Sequence, residues 1–66
     1  MLKINKLKAK IIEKETSIEE LSKIISVNKS TFHRKMRKNS FFVNEVDAIA
    51  KALDLTTEEI TDIFFA

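Results

Sequence analysis

Between Asn28 and Lys38 the chain carries Asn28, Lys29, Ser30, Thr31, His33, Arg34, Lys35, Arg37 and Lys38. These side chains are rich in hydrogen-bond donors and positive charge. Arg and Lys attract phosphate, and either can donate to O6 and N7 of a guanine. Ser, Thr and Asn can pair with base edges or phosphate oxygens. Such a set suits a polyanion better than bond-making chemistry. Catalytic arrangements are missing: the chain has one His, no Cys and no Gly. It therefore has no thiol nucleophile and no Gly-rich phosphate loop, and His33 stands without an evident Ser or carboxylate partner. An enzyme is not expected. One His and no Cys also leave no ligand set for a structural zinc, so no metal and no cofactor are expected.

The donors need a rigid element to present them. Phe32 and Met36 lie four apart on one face of a helix predicted over Lys29 to Lys38, and the cationic residues occupy the other faces. Asn28 is its N-cap, and Val27 with Phe32 forms a hydrophobic staple around that cap. A preceding helix runs from Ile18 to Ile25, with Ile18, Leu21, Ile24 and Ile25 as its buried stripe. Ser17 and Glu20 have the spacing of a capping box at its start. Only Ser26, Val27 and Asn28 separate the two helices. So short a turn makes them cross steeply and has the length of a helix-turn-helix.

Three further helices complete the reading. The first spans Leu2 to Lys14, with Ile4, Leu7, Ile11 and Ile12 at helical spacing. The fourth spans Val43 to Leu53, with Val46, Ile49, Ala50 and Leu53 on one face. The fifth spans Thr57 to Phe65 behind a Thr56–Glu59 capping box. Phe41 and Phe42, in the loop before the fourth helix, are expected to be partly buried. The fold class is all-α, a compact five-helix domain over residues 1–66. Neither Gly nor Pro occurs in the 66 residues, which disfavours hairpins and leaves the turns to Asn, Ser, Asp and Thr. The expected core comprises Leu7, Ile11, Leu21, Ile25, Phe32, Val46, Ile49, Ala50 and Ile60.

From Leu7 to Phe64 the chain resembles the Cro and phage-repressor family, the lambda-repressor-like helix-turn-helix domains. The resemblance rests on the stretch from Ser17 to Met36 and on Ile49-Ala50-Lys51-Ala52-Leu53-Asp54-Leu55-Thr56. It implies that the third helix enters a major groove while the second braces against the backbone. By position, Lys29, Ser30 and Arg34 then contact bases, flanked by Thr31 and His33. Asn28, Arg37 and Lys38 suit phosphates, and Ser17 marks the start of the second helix, where backbone N–H groups can hold another. The sequence departs from the family at Ser22, where Ala is usual, at Ser26, where Gly is usual, and at Ile18, where Gln is frequent. Lys35 falls where an apolar residue is usual, with Met36 to fill that space. The implied function is a Cro- or repressor-type transcriptional regulator from a phage or prophage, acting as a homodimer on double-stranded DNA.

Charge is unevenly distributed. Residues 1–38 hold eleven Lys/Arg against four Glu, and residues 39–66 hold one Lys against six acids. One end of the chain suits a polyanion and the other repels it. Lys3, Lys6, Lys8, Lys10 and Lys14 can steer DNA or serve simply as solubilising charge. At the acidic end, Ile60, Ile63, Phe64 and Phe65 are candidates for a dimer or partner interface. A small antirepressor or co-repressor of the same fold, acting on another phage regulator protein, would use that surface equally well. No apolar run spans a bilayer and the N-terminus is not a signal peptide, so no membrane association and a bacterial cytoplasmic location are expected.

Overall fold

The computed structural model describes residues 3–65, and they form an all-helical domain. The helices are α1 (Ile4–Glu13), α2 (Ile18–Ile24), α3 (Lys29–Lys38), α4 (Val43–Ala52) and α5 (Thr57–Ile60). A π-helical turn over Thr61–Phe65 continues α5. Each boundary has a local cause. Ser17 Oγ accepts the Glu20 N–H at the start of α2, Asn28 Oδ1 accepts the Thr31 N–H at the start of α3, and Thr56 Oγ1 accepts the Glu59 N–H at the start of α5. The reciprocal half of the capping box, in which Glu returns a carboxylate to the cap N–H, forms in α5 but not in α2. There Glu20 turns toward Lys23, 3.9 Å away, as an i,i+3 pair.

Four helices end in the same way. The residue after the last turn is left-handed: Glu15 (φ 55°), Ser26 (φ 60°), Asn39 (φ 50°) and Asp54 (φ 52°). The next residue donates its N–H back across the final turn, Thr16 to Ile11, Val27 to Ser22, Ser40 to Lys35 and Leu55 to Ala50. These are Schellman closures, which usually carry Gly. A chain without Gly accepts a Cβ in the left-handed region instead, at about 1–2 kcal/mol for a residue other than Asn or Asp. Glu15→Gly and Ser26→Gly should therefore each stabilise the domain by about 0.5–1 kcal/mol, after the extra freedom Gly gives the unfolded chain is subtracted. Thermal melts should rise by about 4–8 °C per kcal/mol gained. Asn39→Gly should gain less. An unchanged or lower midpoint for Glu15→Gly would show that the turn carries no such strain.

The core consists of Leu7, Ile11, Leu21, Phe32, Met36, Val46, Ile49, Leu53, Ile63 and Phe64, with Ala50 also buried. Ile25 and Ile60 lie half-buried at its margin. Ile24 and Ile12 face solvent: in α2 Ser22 is buried beside Leu21, and in α1 Leu7 and Ile11 are the buried residues. Ser22 fits there because its hydroxyl donates to the Ile18 carbonyl one turn back, at 2.7 Å. Phe41 is half-buried, edge-on to both Phe32 and Phe64 with centroids 5.2 and 6.1 Å away. That aromatic chain fastens the α3–α4 loop to the C-terminal turn. Phe42 is exposed, contrary to expectation, and Leu2, at the expected start of α1, lies outside the described residues.

The C-terminal segment was expected to be α-helical to Phe65. It is a π turn over Thr61–Phe65 instead, and its consecutive residues Ile63 and Phe64 both lie in the core. Lys3 N–H donates to the Ile63 carbonyl at 2.8 Å and ties α1 to this turn. Ile63 and Phe64 are thus interior residues of the single chain rather than surface for a partner. Of the proposed interface set, Phe65 is exposed (64%) and Ile60 half-buried.

Candidate nucleic-acid interface

α2 ends at Ile24, one residue earlier than expected, and packs against α3 across the four-residue turn Ile25–Asn28, with Leu21 and Phe32 buried in the shared core and Val27 half-buried against it. Phe32, Lys35 and Met36 form the buried face of α3. Opposite them, Ser30, Arg34, Arg37 and Lys38 recur at i, i+4, i+7 and i+8 and are all exposed, as is Lys29 at the first position. Thr31 and His33 are half-buried and flank this stripe. Asn28 Oδ1 also accepts the Ser30 hydroxyl at 2.8 Å, so Ser30 keeps its lone pairs outward as an acceptor. Ser17 is exposed at the start of α2 with its Oγ engaged in the cap.

Ion pairing decides which positive charges remain available. Asp62 takes Lys6 and lies 3.8 Å from Lys3, and Glu59 takes Lys10. Glu13 approaches Lys10 and Lys14 at 3.5 and 3.8 Å. The lysines of α1 are thus largely bound to the acids of the C-terminal segment, and the two oppositely charged ends of the sequence meet as a seam. Among the described residues, the cations without an acidic partner are Lys8, Lys29, Arg34, Arg37 and Lys38. Four of these five belong to α3.

The seam carries a pH dependence. Lys10 beside Glu59, together with the Thr56 N–H donated to its carboxylate, holds the Glu59 pKa down at about 2 from an ordinary 4.5. Lys6 likewise lowers Asp62. A depressed carboxyl pKa stabilises the folded state above the unfolded value and loses that contribution as pH falls toward the folded value. Stability should therefore decline between about pH 4.5 and 2. Glu59→Gln should flatten part of that decline, and molar salt should shrink the difference because the pair is exposed. Parallel acid titrations of both proteins by circular dichroism check this; coincident curves would contradict it.

A different pair supports α3 from behind. Lys35 Nζ lies 3.0 Å from Glu45 Oε1, and both residues are only 8% exposed. The same carboxylate oxygen accepts the Phe42 N–H at 2.9 Å, which caps α4 where Phe42 has no side-chain acceptor of its own. Lys35 Nζ also sits 4.3 Å from the centre of the Phe42 ring. Lys35 is therefore a strut between α3 and α4, facing away from the exposed cations.

The structure is a two-helix unit with a four-residue turn, a basic outer stripe and a helical support behind it. Residues 6–65 match the Cro/C1-type HTH DNA-binding domain. The chain belongs to the Cro/C1-type helix-turn-helix family. Neither the curated proteins nor the solved structures give a match. In this Cro/C1-type domain α2 and α3 form the helix-turn-helix, and buried residues of α1, α4 and the C-terminal π turn complete the core behind them. No helix among the described residues is long and apolar enough to cross a membrane, and no cluster of His, Cys, Asp or Glu among them could hold a metal.

Proposed function

We propose that the protein is a sequence-specific transcriptional regulator of Cro or repressor type that reads a DNA major groove with α3 as a homodimer. The observation that carries this reading is the exposed stripe of Ser30, Arg34, Arg37 and Lys38, free of acidic partners and backed by the buried Phe32, Lys35 and Met36. Near the start of α3, Lys29, Ser30 and Arg34 reach base edges. Ser30, with its proton held by Asn28, accepts from an adenine or cytosine amino group. Asn28, Arg37, Lys38, Thr31 and His33 contact phosphates or flank the bases, and Ser17 borders the same face. One reading helix gives little affinity or site length, which favours two-fold pairing with half-sites one helical turn apart, about 34–36 Å. Resemblance to phage regulators supports a phage or prophage source and action in a bacterial cytoplasm. With Ile63 and Phe64 interior, Phe65 and half-buried Ile60 are what remains of the C-terminal surface, for a second copy and for another regulator protein alike.

The test is selection from a pool of random duplexes by the purified protein. The expected product is an enriched site with two symmetric half-sites. Binding that enriches no sequence would sink the sequence-specific reading, and a lone asymmetric half-site would sink the homodimer.

A further inference from the structure

Beside the helix-turn-helix runs an open groove of about 500 Å³, with Lys8 and Ile12 of α1, Ile18 and Glu19 of α2, and Lys29 and His33 of α3 along it. We infer that this groove docks an acidic amphipathic segment of a partner protein, whose large apolar side chain packs between Ile12 and Ile18 while its carboxylates pair with Lys8 and Lys29. Lys29 and His33 belong also to the helix proposed to read DNA, so the bound segment and a duplex exclude one another. That exclusion rests on the DNA-binding reading above; the docking itself does not.

Apolar surface and charge together identify the occupant. Ile12 is 77% exposed and takes no part in the core, and half-buried Ile18 lines the same groove from α2. A single exposed Ile means little. Two along one groove, of a volume within the range of about 300–1,000 Å³ usual for binding pockets, leave an apolar site unfilled. Neither side chain carries a hydrogen-bond donor, so neither can hold a phosphate oxygen. A Leu, Phe or Met covers that surface and removes it from water. The charge beside it is positive. Lys8 is the one lysine of α1 without an acidic partner among the described residues. Two residues along a helix are about 200° of rotation, so Lys8 lies across α1 from both Lys6 and Lys10. Those two turn to Asp62 and Glu59, and Lys8 turns to the groove. Lys29 has no acidic partner either, and Glu19 is the one acid along the groove. A basic segment is repelled here, and a wholly apolar one leaves the two cations unused. A segment with carboxylates flanking an apolar anchor satisfies both features, combining groove burial with acidic-motif recognition.

The test is selection from a display library of random peptides on the immobilised full chain, with Ile12→Glu as the counter-selected variant. The expected winners combine Asp or Glu with Leu, Ile, Phe or Met and fail on Ile12→Glu. A synthetic copy of one winner should bind the parent in an anisotropy titration. Its affinity should fall about ten-fold on Ile12→Ser, and about three-fold on Lys8→Gln with a weaker dependence on salt. Neither side chain belongs to the core, so both variants should melt with the parent. Lys6→Gln, whose lysine is committed to Asp62, should bind the peptide as the parent does. The same peptide should displace a labelled DNA duplex. Enrichment of no peptide, or of peptides indifferent to both Ile12 and Lys8, would overturn the docking site. If Lys8→Gln then flattened the salt dependence of duplex binding, the groove would belong to a DNA strand. Peptide and duplex bound together would overturn the exclusion. A parent that binds the peptide through Ile12 and Lys8 but binds no duplex would overturn the DNA reading and leave the docking site standing.

Discussion

Glu45→Ala should destabilise the domain by about 3–5 kcal/mol, the usual consequence of leaving one member of a buried ion pair unpaired. Lys35 would lose its 3.0 Å partner in a site only 8% exposed, and the Phe42 N–H would lose its 2.9 Å acceptor at the start of α4. A domain of this size has about 3–10 kcal/mol in all, so much of the variant should be unfolded at 25 °C. Replacing both partners, as Lys35→Met with Glu45→Leu, should recover most of the loss, because apolar side chains of similar volume incur no desolvation penalty. Urea melts of the parent, Lys35→Met, Glu45→Leu and the double variant give the coupling energy directly. A Glu45→Ala loss under about 1 kcal/mol would mean that water reaches Lys35 and that the pair behaves as a surface salt bridge.

This strut shows where the sequence was hard to read. Helix periodicity and side-chain caps located α2, α3 and the start of α5, because Ser17, Asn28 and Thr56 are chemically suited to those positions whatever surrounds them. Lys35 and Glu45 are ten residues apart on different helices, and nothing local to either signals that the other will neutralise it. The substitution of Lys for the apolar residue usual in the family at position 35 was the available clue. Taken with a Glu at the third position of the next helix, it points to a compensating acid rather than to replacement by Met36. Met36 is buried beside Lys35 and does not displace it. The α1 lysines were ambiguous for a related reason. Their spacing shows which share a face, but only the tertiary fold brings Asp62 and Glu59 opposite Lys6 and Lys10.

Turn chemistry was legible in kind and incomplete in detail. Ser26, Asn39 and Asp54 are the residue types expected where Gly is absent, and each adopts the left-handed conformation. Glu15 does so without any local preference for it, held by the Thr16-to-Ile11 bond and by the packing of α1 against the C-terminal turn. The π turn at Thr61–Phe65 had no signal in the sequence. A regular α-helix would point Phe65 about 100° from Phe64 and leave Ile63 and Phe64 sharing an edge of the core. In the π turn both are interior, with Phe64 against Phe41 and Phe65 left outside.

The α3 stripe carries the largest functional consequence. Arg34 is exposed between Ser30 and Arg37, without an acidic partner, and its guanidinium can donate two hydrogen bonds to the O6 and N7 of one guanine. Arg34→Ala should cost about 1–3 kcal/mol of binding per half-site on the selected sequence, and preference should relax at one base pair. Lys38 stands at the C-terminal end of the same helix, and the proposed reading gives it a phosphate as partner. Lys38→Ala should therefore weaken binding to selected and unrelated duplexes alike and flatten the salt slope by about one. The contrast guards against a stability artefact, since a partly unfolded variant loses affinity for every sequence equally. Neither side chain contributes to the core, so both variants should melt with the parent. Titrations of the two variants against the selected duplex and against copies altered one base pair at a time separate the roles. If Arg34→Ala kept the parent's ranking of those duplexes, Arg34 would be a phosphate contact and base reading would pass to Lys29 and Ser30.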